Sequence, residues 1–198
     1  MTTITTGLRR FKRQQVLPKG PYWQIHAGLI RSVTWDWDQE ADIITLGVWG
    51  PGEILSSHLS GLHLFELECQ TDVVIEAVDP SHLDLHALQT NYSWVNEHML
   101  TISRSRRTEI RLGRLLEWLA QRFGTEEAEG FAISPDRVQL THCSLADLIG
   151  STRVTVTRLL QSFREQGAIA YPERRTLRIY PARLPHRVQA NWPRGACG

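Results

Sequence analysis

The stretch LTHCSLADLIGSTRVTVTRLLQSFREQG, Leu140 to Gly167, decides how the whole chain is read. It asks for two helices joined by a tight turn. Thr141 can cap the first helix, because a hydroxyl there takes an N–H that no helical carbonyl reaches. Leu145, Leu148 and Ile149 give that helix a buried face, and Ala146 is small enough to let a second helix cross closely. Gly150 ends it, where a left-handed residue costs glycine least. Ser151 or Thr152 caps the second helix, which carries Val156, Leu159, Leu160 and Phe163 at i, i+3, i+4 and i+7 before Gly167 stops it. Its other side gathers Arg153, Val154, Thr157, Arg158 and Gln161. Arginine can donate two hydrogen bonds to guanine O6 and N7, and a methyl-bearing side chain can pack on a thymine methyl. A helix-turn-helix presents the N-terminal part of its second helix to the major groove in this way. Most charged helix faces are merely solvated. Here the small residue, the turn glycine and the apolar positions all stand at the required offsets, so the reading is duplex DNA.

The residues after Gly167 fit the same reading. Ala168–Tyr171 and Thr176–Tyr180 are strand-like and flank Pro172-Glu173-Arg174-Arg175, a hairpin with a basic tip. On such a wing Arg174 and Arg175 meet phosphates, which fix position and affinity but carry little sequence information.

Upstream, the chain reads first as β and then as helix. Gln24–Trp35 alternates imperfectly and is rich in β-branched and aromatic residues, as one β stretch. Asp36–Asp42 is a polar turn, Ile43–Trp49 a second strand, and Gly50-Pro51-Gly52 a turn. Phe65–Cys69 and Thr71–Val78 complete a set of short strands of the sandwich or jelly-roll kind. From Ser81 to Phe123 there is no proline, and Gly113 is the one glycine. Val95, Met99 and Ile102 share a helical face, and Leu112, Leu115, Leu116 and Leu119 share another. The expectation is one helix over roughly 90–109, a candidate dimer seam with poor heptads, and a second over 110–123. Gly124–Gly130 reads as an acidic loop, and 185–198 as a loose tail.

The composition narrows the class. The apolar share of 41% and net charge of +1 argue against disorder. The charge is divided: residues 1–100 hold six Lys and Arg against twelve Asp and Glu, residues 101–198 sixteen against nine. The basic half is the one that would face a polyanion. No apolar run reaches the roughly 18 residues a membrane span needs. The scattered Cys69, Cys143 and Cys197 form no disulfide framework, and the expected location is the cytoplasm.

The run from Leu140 to Tyr180 resembles the DNA-binding domain of the cyclic-AMP receptor/fumarate-nitrate regulator (Crp/Fnr) superfamily. Within it, Ile149–Leu160 is very similar to the recognition segment of the cyanobacterial global nitrogen regulators. The Gly50-Pro51-Gly52-Glu53 turn and the Pro80-flanked exit to a long helix match that family in outline. The resemblance implies an α+β chain. A shortened, cyclic-nucleotide-binding-like jelly roll would span 1–87, a dimerisation helix 88–111, a winged helix-turn-helix 112–184, and a flexible tail 185–198. It implies a homodimer on a palindromic operator with half-sites roughly 34–36 Å apart, and RNA polymerase as a further partner. Arg153, Val154 and Arg158 take base-contacting positions. Thr152, Thr155, Thr157, Gln161, Arg174 and Arg175 complete the expected interface.

The departures bear on the effector. Cyclic-nucleotide sensors of this family hold the cyclic phosphate with an arginine and a small hydroxyl residue soon after the Gly-Glu turn, and the nitrogen regulators hold 2-oxoglutarate partly through an arginine there. Ser56–Cys69 contains neither arginine nor lysine. A buried phosphate without a cation is costly, so cyclic AMP is not expected and no cofactor is assigned. The first 68 residues contain no cysteine, which excludes the iron–sulfur branch. Two other functions compete with this reading. A reduced sensor with a weak helical seam would work mainly through a protein partner. A cupin-like metal enzyme would use His58, His63, Glu66 and Glu68, although the five-residue spacing puts the two histidines on opposite faces of one strand. His82 and His86 could share a helix face but read as surface residues. Cys143, at the start of the first helix of the motif, reads as an inert thiol rather than a redox switch.

Overall fold

A glycine breaks the first β stretch in two. Gly28 has φ +89°, and a Cβ there would collide with the Asp72 carbonyl, so only glycine admits the close approach. The stretch expected as one therefore becomes β2 (Tyr22–Ala27) and β3 (Ile30–Trp35), in different sheets. The computed structural model describes residues 7–35, 43–135, 138, 140–172 and 176–185. The expected Asp36–Asp42 turn, the wing tip with Arg174 and Arg175, and the tail after Pro185 lie outside the described residues.

The chain divides into two compact units, Met1–Thr101 and Ile102–Gly198. In the first, β1 (Leu8–Phe11) was not expected from the sequence; it pairs with β7 (Val73–Val78). With β4 (Ile43–Trp49), β5 (Ile54–Leu55) and β6 (Glu66–Cys69), the strands form two antiparallel sheets, ordered β1-β7-β2-β5 and β4-β3-β6. Alternation buries one face of the first sheet, whereas in the second β3 is buried on both faces from Ile30 to Val33. Trp23 pairs with Ala77 and Ile25 with Ile75 across the first sheet, and Ile30 faces Trp49 and Cys69 across the second. The Gly50–Glu53 turn is closed by its own residues, the Glu53 carboxylate accepting from the Gly50 N–H at 2.8 Å.

Helix α1 runs Leu85–Ser103 and α2 runs Thr108–Phe123. The first starts earlier than expected because Asp84 caps it, its carboxylate accepting from the Ala87 N–H at 2.9 Å. It also ends earlier, at the basic run Arg104–Arg107, so no continuous helix spans 88–111. The apolar face suggested as a dimer seam is not open. Tyr92, Val95, Met99 and Ile102 are buried within this one chain. Tyr92 stacks on Trp49 at 5.4 Å, and Val95 packs over Gly47.

In the second unit α3 (His142–Ile149) and α4 (Arg153–Glu165) follow a hairpin of β8 (Thr125–Glu127) and β9 (Gly130–Ile133). The expected acidic loop is thus largely strand. Glu127 pairs with Arg178 at 2.9 Å, and Glu129 with Arg183 at 3.3 Å. The hairpin joins β10 (Ile169–Ala170) and β11 (Leu177–Ile179) in one antiparallel sheet ordered β10-β11-β9-β8. Leu112, Leu115, Leu116 and Leu119 of α2 are buried, as are Leu145, Ile149, Val156, Leu160 and Phe163.

Candidate DNA-binding site

Local chemistry sets the two helices of the site. Thr141 caps α3 through a reciprocal pair. Its Oγ1 accepts from the Ser144 N–H at 3.0 Å, and Ser144 Oγ accepts from the Thr141 N–H at 2.9 Å. Gly150 closes α3 in the left-handed region, φ +59° and ψ +59°, with its N–H on the Ala146 carbonyl. Two residues later Thr152 caps α4, its Oγ1 accepting from the Thr155 N–H at 3.2 Å. The turn is therefore fixed at both ends by side-chain or glycine chemistry, and α4 leaves it in one direction.

Burial separates the faces of α4. Val156, Leu160 and Phe163 are in the core, and Leu159, expected to join them, is half-buried. Arg153, Val154, Thr157, Arg158 and Gln161 are exposed together, Val154 by 79%. An apolar residue so exposed between arginines gains nothing from its own fold. The polar members differ in how free they are. The Thr152 and Thr155 hydroxyls meet each other at 2.9 Å. The Gln161 amide donates to Glu165 at 3.1 Å. Thr157 Oγ1 donates to the Arg153 carbonyl at 2.9 Å and lies 2.8 Å from His142 Nδ1. Sequence reasoning missed His142; only its place beside the Thr141 cap pointed to the same end of the motif.

The β unit contains the cation that the stretch after the Gly-Glu turn lacks, but it is already paired. Arg31 on β3 is 6% exposed, and its Nη2 lies 2.9 Å from the Glu68 carboxylate on β6. Glu68 also accepts from the Gln70 amide at 3.3 Å. The same carboxylate belonged to the metal-site alternative. His58 instead stands in a short turn, Ser57–Leu59, with its ring on Tyr22, and His63 is exposed. His82 and His86 do not share a helix, since His82 lies in the turn before α1. Among the described residues no group of three or more His, Cys, Asp or Glu could hold a metal ion, and no helix is long and apolar enough to cross a membrane. Cys69 is buried, and burial with Glu68 and Asp72 nearby pushes its thiol up to about 12. Cys143 is half-buried and unpaired.

Fold and site together define a transcription regulator with a helix-turn-helix DNA-binding domain behind a β-sheet domain of the cyclic-nucleotide-binding kind. Residues 110–184 match the Crp-like helix-turn-helix domain. The regulatory protein CysR of Synechococcus elongatus is 42% identical over 182 residues, covering 90% of this chain and 87% of CysR. The chain belongs to the Crp/Fnr family of transcription regulators. The global nitrogen regulator of the same species is 32% identical over 118 residues, 60% of this chain and 51% of that protein. Among solved structures, FixK2 from Bradyrhizobium japonicum matches with a TM-score of 0.69 over 93% of this chain and 100% of its own, at 16% identity, a likeness of fold alone. The match to the nitrogen regulator covers only part of the chain, while the likeness to CysR runs through both units.

Proposed function

We propose that the protein binds a palindromic operator as a homodimer, placing α4 of each chain in successive major grooves. The observation that carries this reading is the exposed set Arg153, Val154 and Arg158, held at the start of a helix whose direction is fixed by Gly150 and Thr152. Arg153 and Arg158 read guanines and Val154 supplies an apolar contact. Thr152, Thr155, Thr157 and Gln161 border them, and the wing with Arg174 and Arg175 holds phosphates. The regulator acts in the cytoplasm and touches RNA polymerase on the bound promoter.

The domain plan is a β domain ahead of α1, a dimerising α1, and the winged helix-turn-helix from α2 onward. The pairing surface is not the stripe through Val95, which its own chain covers. It is the adjoining face, where Leu85 and Leu100 are 48% and 61% exposed. Gln89 and Ser93 fall between them, so the seam is narrow. That polar character also favours a second reading, in which the chain acts mainly with a protein partner; light scattering of the purified protein separates a stable dimer from a monomer.

We also propose that cyclic AMP is not the effector. The arrangement supporting this is the commitment of Arg31 to Glu68, together with the stacking of Trp49 and Tyr92 inside the β unit. The test is a fluorescence-anisotropy titration against a nitrogen-regulator-type palindrome and a scrambled duplex, with and without cyclic AMP and 2-oxoglutarate. Tight, selective binding unmoved by either ligand is expected. Arg153→Ala should cost roughly 1–3 kcal/mol and relax specificity at one position of each half-site. Unchanged discrimination by that variant would refute the assignment of α4.

A further inference from the structure

Thr157 stands in the middle of the exposed face of α4, yet its hydroxyl is already engaged. Oγ1 donates to the Arg153 carbonyl one turn back, at 2.9 Å. A hydroxyl has one proton. With that proton on Arg153, the 2.8 Å contact to His142 is satisfied by Nδ1–H donating to the threonine oxygen. The hydroxyl is thus held by its own helix on one side and by α3 on the other. It has no proton left for thymine O4 or guanine O6. The side-chain atom without a polar task is the Cγ2 methyl, on a residue exposed between Arg153 and Gln161.

The geometry points to a division of labour, which rests on α4 entering the major groove. Thr157 reads a thymine through its methyl group, and His142 is the positioning residue that fixes it there. Thymine's C5-methyl is the one apolar group in the major-groove code. Threonine in a helix divides between two rotamers, because its hydroxyl can turn back to the preceding turn. A second hydrogen bond from outside the helix selects one of them. His142 is suited to supply it. It is the first residue of α3, and its backbone is set by the Thr141–Ser144 pair. The imidazole position is therefore inherited from a cap and not from a flexible loop. A threonine hydroxyl in this place would look on sequence alone like a hydrogen-bond donor to bases; the two contacts remove that donor role and leave the methyl as the group free to meet a base.

The test uses the full-length protein and a high-affinity duplex selected from a randomised pool. Thymines in each half-site are replaced one at a time by deoxyuridine, which lacks only the 5-methyl group. One thymine per half-site should respond, with a roughly fourfold loss of affinity for the wild type. Thr157→Val keeps methyl groups without the hydroxyl and should keep the response. Thr157→Ser keeps the hydroxyl without the methyl and should bind the thymine and deoxyuridine duplexes alike. His142→Ala should lose the response, and His142→Asn, whose amide N–H can replace Nδ1–H, should restore it. A Thr157→Ser variant with the full response, or a Thr157→Val variant without it, overturns the methyl reading. An undiminished response in His142→Ala overturns the positioning role. Arg153→Ala and a scrambled duplex are the controls. If the wild type does not prefer the selected duplex, the groove reading itself fails. If it does, and Arg153→Ala relaxes that preference while no thymine responds to deoxyuridine, only the present inference fails.

Discussion

Replacing Gly150 with alanine isolates what the turn between α3 and α4 demands. The residue sits at φ +59°, and a Cβ there would meet nothing within 4 Å. Space is therefore not the constraint; the backbone is. An L-residue in the left-handed region costs about 1–2 kcal/mol. Part of that is offset, since alanine stiffens the unfolded chain by about 0.4–1 kcal/mol relative to glycine. The net loss should be about 1 kcal/mol. Asparagine tolerates the same region better, so Gly150→Asn should lose less than Gly150→Ala. Gly28→Ala is the contrast, because there the strained φ coincides with a collision against the Asp72 carbonyl, and its loss should be clearly larger. Urea unfolding of the full-length variants, with the two units followed separately, measures all three. The reasoning is refuted if Gly150→Ala costs as much as Gly28→Ala, or if asparagine is no better than alanine at position 150.

Three further outcomes are expected from the packing. Arg31→Met leaves the half-buried Glu68 carboxylate without its cation and should destabilise the β unit by about 1–3 kcal/mol; adding Glu68→Leu should recover most of the loss, and a urea double-mutant cycle reads the coupling. The Cys69 thiol, pushed up from 9.0 to about 12 by burial and then by Glu68 and Asp72, keeps its proton in the folded state where the unfolded chain has lost it. Stability should therefore fall as pH rises from 9 towards 12, and Cys69→Ala should flatten that fall in a pH series of thermal melts. Leu100→Glu should shift the protein towards monomer in sedimentation while the chain stays folded, with any loss of unfolding midpoint confined to the concentration-dependent part that association supplies, whereas Val95→Glu, at a position with no exposure, should unfold the β unit. Equal effects of the two on folding would refute the assignment of faces on α1.

The contrast between what the sequence discloses and what it hides tracks the range of the interactions. The α3–α4 motif was legible because its determinants are local: Thr141, Gly150 and Thr152 are all read within one turn of the place they act. The start of α1 carries a signal of the same kind in Asp84, three residues ahead of the N–H it receives, but the apolar periodicity that marks the helix only begins further on. The rest is tertiary. Glu126 and Glu127 look like loop residues until β9 and β11 provide a sheet, and β11 lies some fifty residues later in the chain. The split of the first β stretch depends on Gly28 meeting Asp72. The Arg31–Glu68 pair is hidden for a related reason: Arg31 comes well before the Gly-Glu turn and is joined to Glu68 only by strand pairing.

The use of the apolar face of α1 ties these observations to mechanism. A helix that served only to pair two chains would leave its most apolar stripe uncovered in one chain. Here Tyr92 and Val95 are spent on Trp49 and Gly47, the body of the β unit. Anything that rearranges that interior must move α1, because no slack layer separates them and tightly packed interiors transmit displacement. The adjoining face, through which two chains are proposed to pair, belongs to the same rigid helix and turns with it. A signal reaching the β unit therefore needs no separate relay to alter the seam. In the proposed dimer, a narrow, polar seam makes the pairing of the two α1 helices easier to shift than a wide apolar one would.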